Sequence, residues 1–208
     1  MHLDVPVVGI LRGVDPEFFG DIMKASFEAG LQAIEVTMNT AGAEGIISAN
    51  RPVVPQGKLL GMGTIRTVEE ARRAVDAGAM FIVTPNLDPS VITYANQHAI
   101  PIICGALTPS EIYSAWSSGA DMVKVFPCRL FGPQYIRDVL GPFDQIPLVA
   151  VGGVTRSNVG TFFEAGAAAV GVGLSLFGGD AVRERRLEEL RRNVKGFIER
   201  CPSGSDRT

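Results

Sequence analysis

The stretch "FEAGAAAVGVG" (163–173) joins two patterns across one glycine. The residues before Gly166 suit the last turn of a helix, and a short apolar run with strand character follows it. A glycine at such a junction supplies the left-handed cap that stops a helix. The same phrase recurs as "FEAGLQAIEVT" (27–37), "VDAGAMFIVT" (75–84) and "WSSGADMVKVF" (116–126), with Gly30, Gly78 and Gly119 at the junction. Helix, glycine stop and strand, repeated along the chain, make a βα repeat.

Extended outward, the pattern predicts strands at 5–11, 33–37, 59–62, 80–84, 100–104, 121–126, 147–152 and 168–173. Helices are expected near 15–29, 41–49, 67–77, 88–97, 109–118, 131–140, 156–165 and 181–199. Pro16, Pro89, Pro109 and Pro133 fall near helix starts, where a missing amide is tolerated. The last helix carries Leu187, Leu190, Val194 and Phe197 on one stripe, and its Arg and Glu residues read as a solvated face. Eight alternating units in 208 residues predict an α/β fold, a single-domain (β/α)₈ TIM barrel over 1–200, with a disordered tail at 201–208. An open doubly wound sheet is the alternative. No Gly-x-Gly-x-x-Gly follows the first strand, which counts against a dinucleotide-binding version.

Composition narrows the function classes. With 46% hydrophobic and 20% charged residues the chain has the make-up of a soluble globular protein. A net charge of −3 gives no electrostatic case for nucleic acid or an anionic membrane as partner. "MHLDVPVVGI" lacks a basic leader and a cleavage pattern, and no apolar run reaches membrane-span length, so a cytoplasmic protein is expected. Cys104, Cys128 and Cys201 are odd in number and far apart, as suits a reducing compartment. His2 and His98 are equally isolated, and no Cys/His group has zinc-ligand spacing; no metal site and no cofactor are expected.

Two charged residues break the apolar strands. Lys124 stands between Val123 and Val125, with Met122 and Phe126 sharing its parity. If the valines face the helices, Lys124 points into the barrel near the carboxyl end of the sixth strand, where barrel active sites sit. Desolvation there lowers an amine's pKa toward a neutral nucleophile. Glu35, between Ile34 and Val36, faces inward by the same alternation near the end of the second strand. The pair reads either as a buried ion pair or as a nucleophile with its proton-transfer group.

Glycine clusters close the last two strands, in "VAVGGVT" (149–155) and "VGVGLS" (170–175). Backbone amides at Gly152, Gly153, Gly173 and Leu174 can cradle a phosphate, the usual use of these loops in a barrel. Arg12, ending the first strand in "GILRG", suits a bidentate clamp on a carboxylate or a salt bridge at the rim. Cys128 lies close to Lys124 but has no histidine near it in sequence, and reads as a loop residue.

"GILRGVDP", "IEVTMNT", "GMGTIRT", "FIVTPN", "VKVFPCRLFGPQYI" and "AVGGVT" together resemble the KHG/KDPG aldolase family, the 2-keto-3-deoxy-6-phosphosugar-acid aldolases. The match runs in order from about 5 to 178. It implies a (β/α)₈ barrel, usually a homotrimer, acting as a metal-free class I aldolase. Lys124 matches the Schiff-base lysine and Glu35 the proton-transferring glutamate. The resemblance also places Arg12 and Thr64 near the pyruvate half, Pro85 and Phe126 along the site, and Gly152 and Gly153 at the phosphate. The implied partners are a phosphorylated keto sugar acid, pyruvate and glyceraldehyde 3-phosphate.

Departures choose a branch. Asn39 stands where many gluconate-type members carry Arg, and Val151 where several carry Thr. "MNT", "VTPN", "FGPQYI" and "AVGGVT" are closer to the 6-phosphogalactonate branch. A serine that contacts phosphate in many members falls at Leu174 here, with Ser175 one place later. Other readings remain: a gluconate or 4-hydroxy-2-oxoglutarate aldolase, a metal-dependent aldolase, another phosphate-binding barrel such as an isomerase or thiamin-phosphate synthase, and a non-catalytic binding protein.

Overall fold

The computed structural model describes Met1 and residues 3–202. Eight parallel strands, β1 (Val7–Leu11), β2 (Ala33–Thr37), β3 (Leu59–Gly63), β4 (Ile82–Val83), β5 (Ile102–Ala106), β6 (Met122–Val125), β7 (Leu148–Val151) and β8 (Ala169–Val172), pair in chain order. β8 pairs with β1, so the sheet is a closed barrel. The helices that follow the first seven strands are α1 (Pro16–Glu28), α2 (Ala43–Asn50), α3 (Val68–Asp76), α4 (Pro89–Gln97), α5 (Pro109–Ser117), α6 (Gly132–Leu140) and α7 (Val159–Glu164). After β8 come α8 (Leu174–Phe177), α9 (Gly179–Arg183) and α10 (Leu187–Ile198). The expected single-domain TIM barrel is the observed fold, and the open sheet is excluded.

Local chemistry explains the punctuation. α1, α4 and α5 each begin at proline behind a side-chain cap, from Asp15, Asp88 and Thr108. Gly30, Gly78, Gly119 and Gly166 all take positive φ, between 97° and 105°, as the recurring phrase requires.

Strand alternation sorts the core into two layers. Val8, Phe81, Val83, Ile103, Met122 and Val149 fill the barrel interior. Ile34, Val36, Val123 and Val125 pack outward against the helices. This places Met122 and Val123 on opposite sides of β6, and with them sets the direction of Lys124.

Two expectations change. β4 shrinks from 80–84 to Ile82–Val83, although Met80 N–H still donates to Leu60 O (2.8 Å) and Thr84 N–H to Ile103 O (3.1 Å). The single helix expected at 181–199 divides into α9 and α10, because Arg185 takes a left-handed φ of 55° and pairs with Asp15 of the loop after β1. The apolar stripe survives the break: Leu190, Val194 and Phe197 are buried. At the end of α10, Cys201 N–H donates to Ile198 O (2.9 Å); of the expected tail, 203–208 lie outside the described residues. No helix among the described residues is long and apolar enough to cross a membrane.

Candidate active site

β6 delivers Lys124 to the carboxyl-terminal mouth of the barrel. The residue is 7% exposed, opposite Gly105 of β5 and Val149 of β7 in register. Its Nζ lies 5.0 Å from the ring centroid of Phe126, two residues on and on the same side. No ion pair among the described residues includes Lys124, Glu35 or Arg12. The lysine is therefore not closed off as a structural salt bridge. Burial holds its pKa below the ordinary amine value; the Glu35 carboxylate opposes this and the Arg12 guanidinium adds to it.

Glu35 reaches the same space from β2 and is 1% exposed. Burial raises its pKa to about 7, against the pull of Lys124 and Arg12, and its buried Oε2 has no hydrogen-bond partner. A carboxyl poised near neutrality can both give and take a proton. Room for it comes from glycine. A Cβ at Gly63 would lie 2.5 Å from the Glu35 carboxyl carbon. Gly61 does the same for the Phe81 ring (2.5 Å), and Gly171 lets Val151 and Ile10 converge (2.8 and 3.2 Å). These interior glycines are structural parts of the site that a single sequence does not flag, since each serves a neighbour on an adjacent strand.

A cleft of about 570 Å³ opens over the pair. Arg12, Thr64, Pro85, Phe126, Gly152, Gly153, Gly173 and Leu174 all line it with Lys124 and Glu35, so the residues singled out in the sequence converge. The loop carrying Arg12 is tied to β2. Gly13 N–H donates to Thr40 Oγ1 (2.9 Å), which is hydrogen-bonded to Thr37 Oγ1 (3.1 Å). Arg12 is exposed at the rim and free of the ion pair that the alternative reading required. Thr64 has a φ of 61°, a conformation that disfavours a β-branched residue. Flanking bonds hold it there: Met38 N–H to Gly63 O (2.7 Å) and Ile65 N–H to Val83 O (3.1 Å).

The far end of the cleft is backbone. Gly152 and Gly153 follow β7 with φ of 94° and 83°, and Gly173 and Leu174 follow β8. No hydrogen bond among the described residues uses the N–H groups of these four, which leaves them available to an anion. The Ser175 hydroxyl donates to Val154 O (3.0 Å), tying the two loops together. Cys128 is buried in a short turn, its thiol donating to Val125 O (3.1 Å) and its pKa pushed up to about 11 by burial. It has none of the features of a nucleophile. Among the described residues no group of three or more His, Cys, Asp or Glu could hold a metal.

A buried lysine and glutamate at the mouth of such a barrel agree with a wider likeness. The family model for KDPG and KHG aldolases matches residues 3–193. The chain belongs to the KDPG and KHG aldolase family. It is a carbon–carbon lyase of the class I aldolase type, similar to both KDPG and KDPGal aldolases. It is 33% identical over 196 residues to the 2-dehydro-3-deoxy-6-phosphogalactonate aldolase of Escherichia coli K12, covering 94% of this chain and 96% of that one. It is 34% identical over 159 residues to the 2-dehydro-3-deoxy-phosphogluconate aldolase of Treponema pallidum, covering 76% and 74%. Among solved structures, a native KDPGal structure superposes with a TM-score of 0.89 at 31% identity, covering 96% of each chain.

Proposed function

We propose that this aldolase reversibly cleaves 2-dehydro-3-deoxy-6-phosphogalactonate to pyruvate and glyceraldehyde 3-phosphate through a Schiff base on Lys124. The observation that carries the reading is the buried, unpaired Lys124 beside Glu35 at the barrel mouth. Burial favours the neutral form of Lys124, and the neutral amine attacks the C2 ketone to form a carbinolamine; loss of water leaves an iminium. The C4 hydroxyl then gives up its proton while the C3–C4 bond breaks. The bonding pair flows into the iminium, releasing the aldehyde and leaving an enamine. Protonation at C3 and addition of water return pyruvate and the free amine, so the water lost is regained and no cofactor is consumed. Glu35, with a pKa near neutrality, moves these protons.

Arg12, with Thr64, binds the carboxylate, Pro85 and Phe126 wall the pyruvate half, and the free amides of Gly152, Gly153, Gly173 and Leu174 bind the phosphate. Val151 and Asn39, together with the Escherichia coli relative, favour the galactonate epimer. The gluconate epimer is the second reading, favoured by the Treponema pallidum relative, which is 34% identical over a shorter span of 159 residues. The proposal includes a cytoplasmic homotrimer, for which sedimentation at three times the 22.1 kDa chain mass is the expected result.

The two epimers differ at C4, beside the bond that breaks. Comparing kcat/KM for both and for 4-hydroxy-2-oxoglutarate tests the assignment. The galactonate compound should lead. Equal rates on both phosphorylated epimers would overturn the branch, and near-equal activity on the unphosphorylated acid would overturn the phosphate site.

A further inference from the structure

Two consecutive glycines in left-handed conformation do not hold a shape unaided, because glycine has the widest conformational freedom of any residue. Gly152 and Gly153 are such a pair, yet the binding of an anion by their amides requires a fixed shape. The brace lies behind the loop. Asn158, half-buried at the start of α7, accepts the Thr155 N–H at Oδ1 (2.7 Å) and donates from Nδ2 to Gly153 O (2.9 Å). One side-chain amide thus spans the loop from Gly153 to Thr155. The Ser175 hydroxyl takes the carbonyl between them, Val154 O. With both carbonyls engaged by side chains, the 153–154 and 154–155 peptide units are held in place, which anchors the downstream end of the glycine pair, while no hydrogen bond occupies the N–H groups of Gly152 and Gly153.

We infer that Asn158 is a positioning residue for the phosphate end of the reaction. It does not line the cleft, so it acts through the loop and not by contact with substrate. The inference rests on the proposed phosphate reading and adds a specific division of labour. Loss of the Asn158 amide loosens the phosphate loop while the pyruvate half, built on β1, β2, β3, β4 and β6, keeps its geometry.

The test runs the reaction toward condensation, where pyruvate and glyceraldehyde 3-phosphate have separate KM values, with inorganic phosphate as a competitive probe. The variants are Asn158→Ala and Asn158→Ser; the Asn158 side chain makes no capping bond to α7, so the helix start does not depend on it, and urea denaturation of both variants reports whether each is folded. The expected result is a KM for glyceraldehyde 3-phosphate and a Ki for phosphate raised about five- to tenfold, the scale of one lost hydrogen bond. The KM for pyruvate and the rate of pyruvate trapping by borohydride should stay within about twofold. A residue with a merely structural role would lower the melting temperature without this split. Unchanged phosphate constants in a folded variant, or a parallel rise in the pyruvate KM, would overturn the positioning role alone. Absence of competition by phosphate in the unsubstituted protein would overturn the phosphate reading, and the inference with it.

Discussion

Replacing Gly63 by alanine should disarm the site without touching either charged residue. Gly63 ends β3 beside Thr37 of β2, and its φ is not in the left-handed region, so the backbone accepts alanine. The obstacle is Glu35. The new Cβ would sit 2.5 Å from the Glu35 carboxyl carbon and 2.9 Å from Oε2, where ordinary contacts begin at 3.4 Å. The carboxyl must therefore retreat by about 1 Å, and a misplacement on that scale costs roughly 100-fold in rate. Overpacking also costs about 1–3 kcal/mol of stability. Gly61→Ala separates the two effects, since the atoms nearest its Cβ all belong to the Phe81 ring. The assay is kcat for cleavage, coupled to reduction of the released pyruvate, alongside urea denaturation of each variant. Gly63→Ala should lose about two orders of magnitude in kcat, and Gly61→Ala should lose stability with kcat nearly intact. A folded Gly63→Ala protein within about threefold of the parent kcat would refute the reasoning, because an effect of about 1 Å on the proton-transfer group would then be immaterial.

Glu35 also sets a pH dependence of stability. Its pKa is raised from 4.5 to about 7 on folding, so between those values the folded state holds more protons than the unfolded one. The contribution is present in full below 4.5 and is lost as pH rises through about 7. Relative to Glu35→Gln, the parent protein should lose stability on the order of 3 kcal/mol across this window, read as urea midpoints at successive pH values. Thr64→Gly should relieve the left-handed strain at φ 61°, raising stability by about 0.5–1 kcal/mol after the extra freedom of glycine in the unfolded chain is counted. It should also lower kcat/KM through loss of the hydroxyl, and steady-state kinetics beside urea titration checks both directions.

The barrel and its mouth were legible because they rest on short-range rules. Glycine stops at Gly30, Gly78, Gly119 and Gly166 mark the helix ends, and alternation around Val123 and Val125 alone aims Lys124 inward. Glu35 followed by the same parity. What stayed hidden depends on which strands become neighbours and in what register. Gly63 matters because β3 lies against β2, and Gly61 because Phe81, just before β4, packs against it. Asn158 looks like any residue opening a helix until Gly153 and Thr155 are seen folded around it. The division of the last helix at Arg185 is likewise invisible locally, since its partner Asp15 is far back in the chain.

The central claim is that Lys124 forms the covalent bond to substrate. Incubation with pyruvate, reduction with borohydride and mass mapping of the digested protein tests it directly. One reduced pyruvate adduct is expected on the peptide bearing Lys124, with loss of activity in proportion to its formation and none in Lys124→Arg. No adduct under saturating pyruvate, or an inactivating adduct on another lysine, would contradict it.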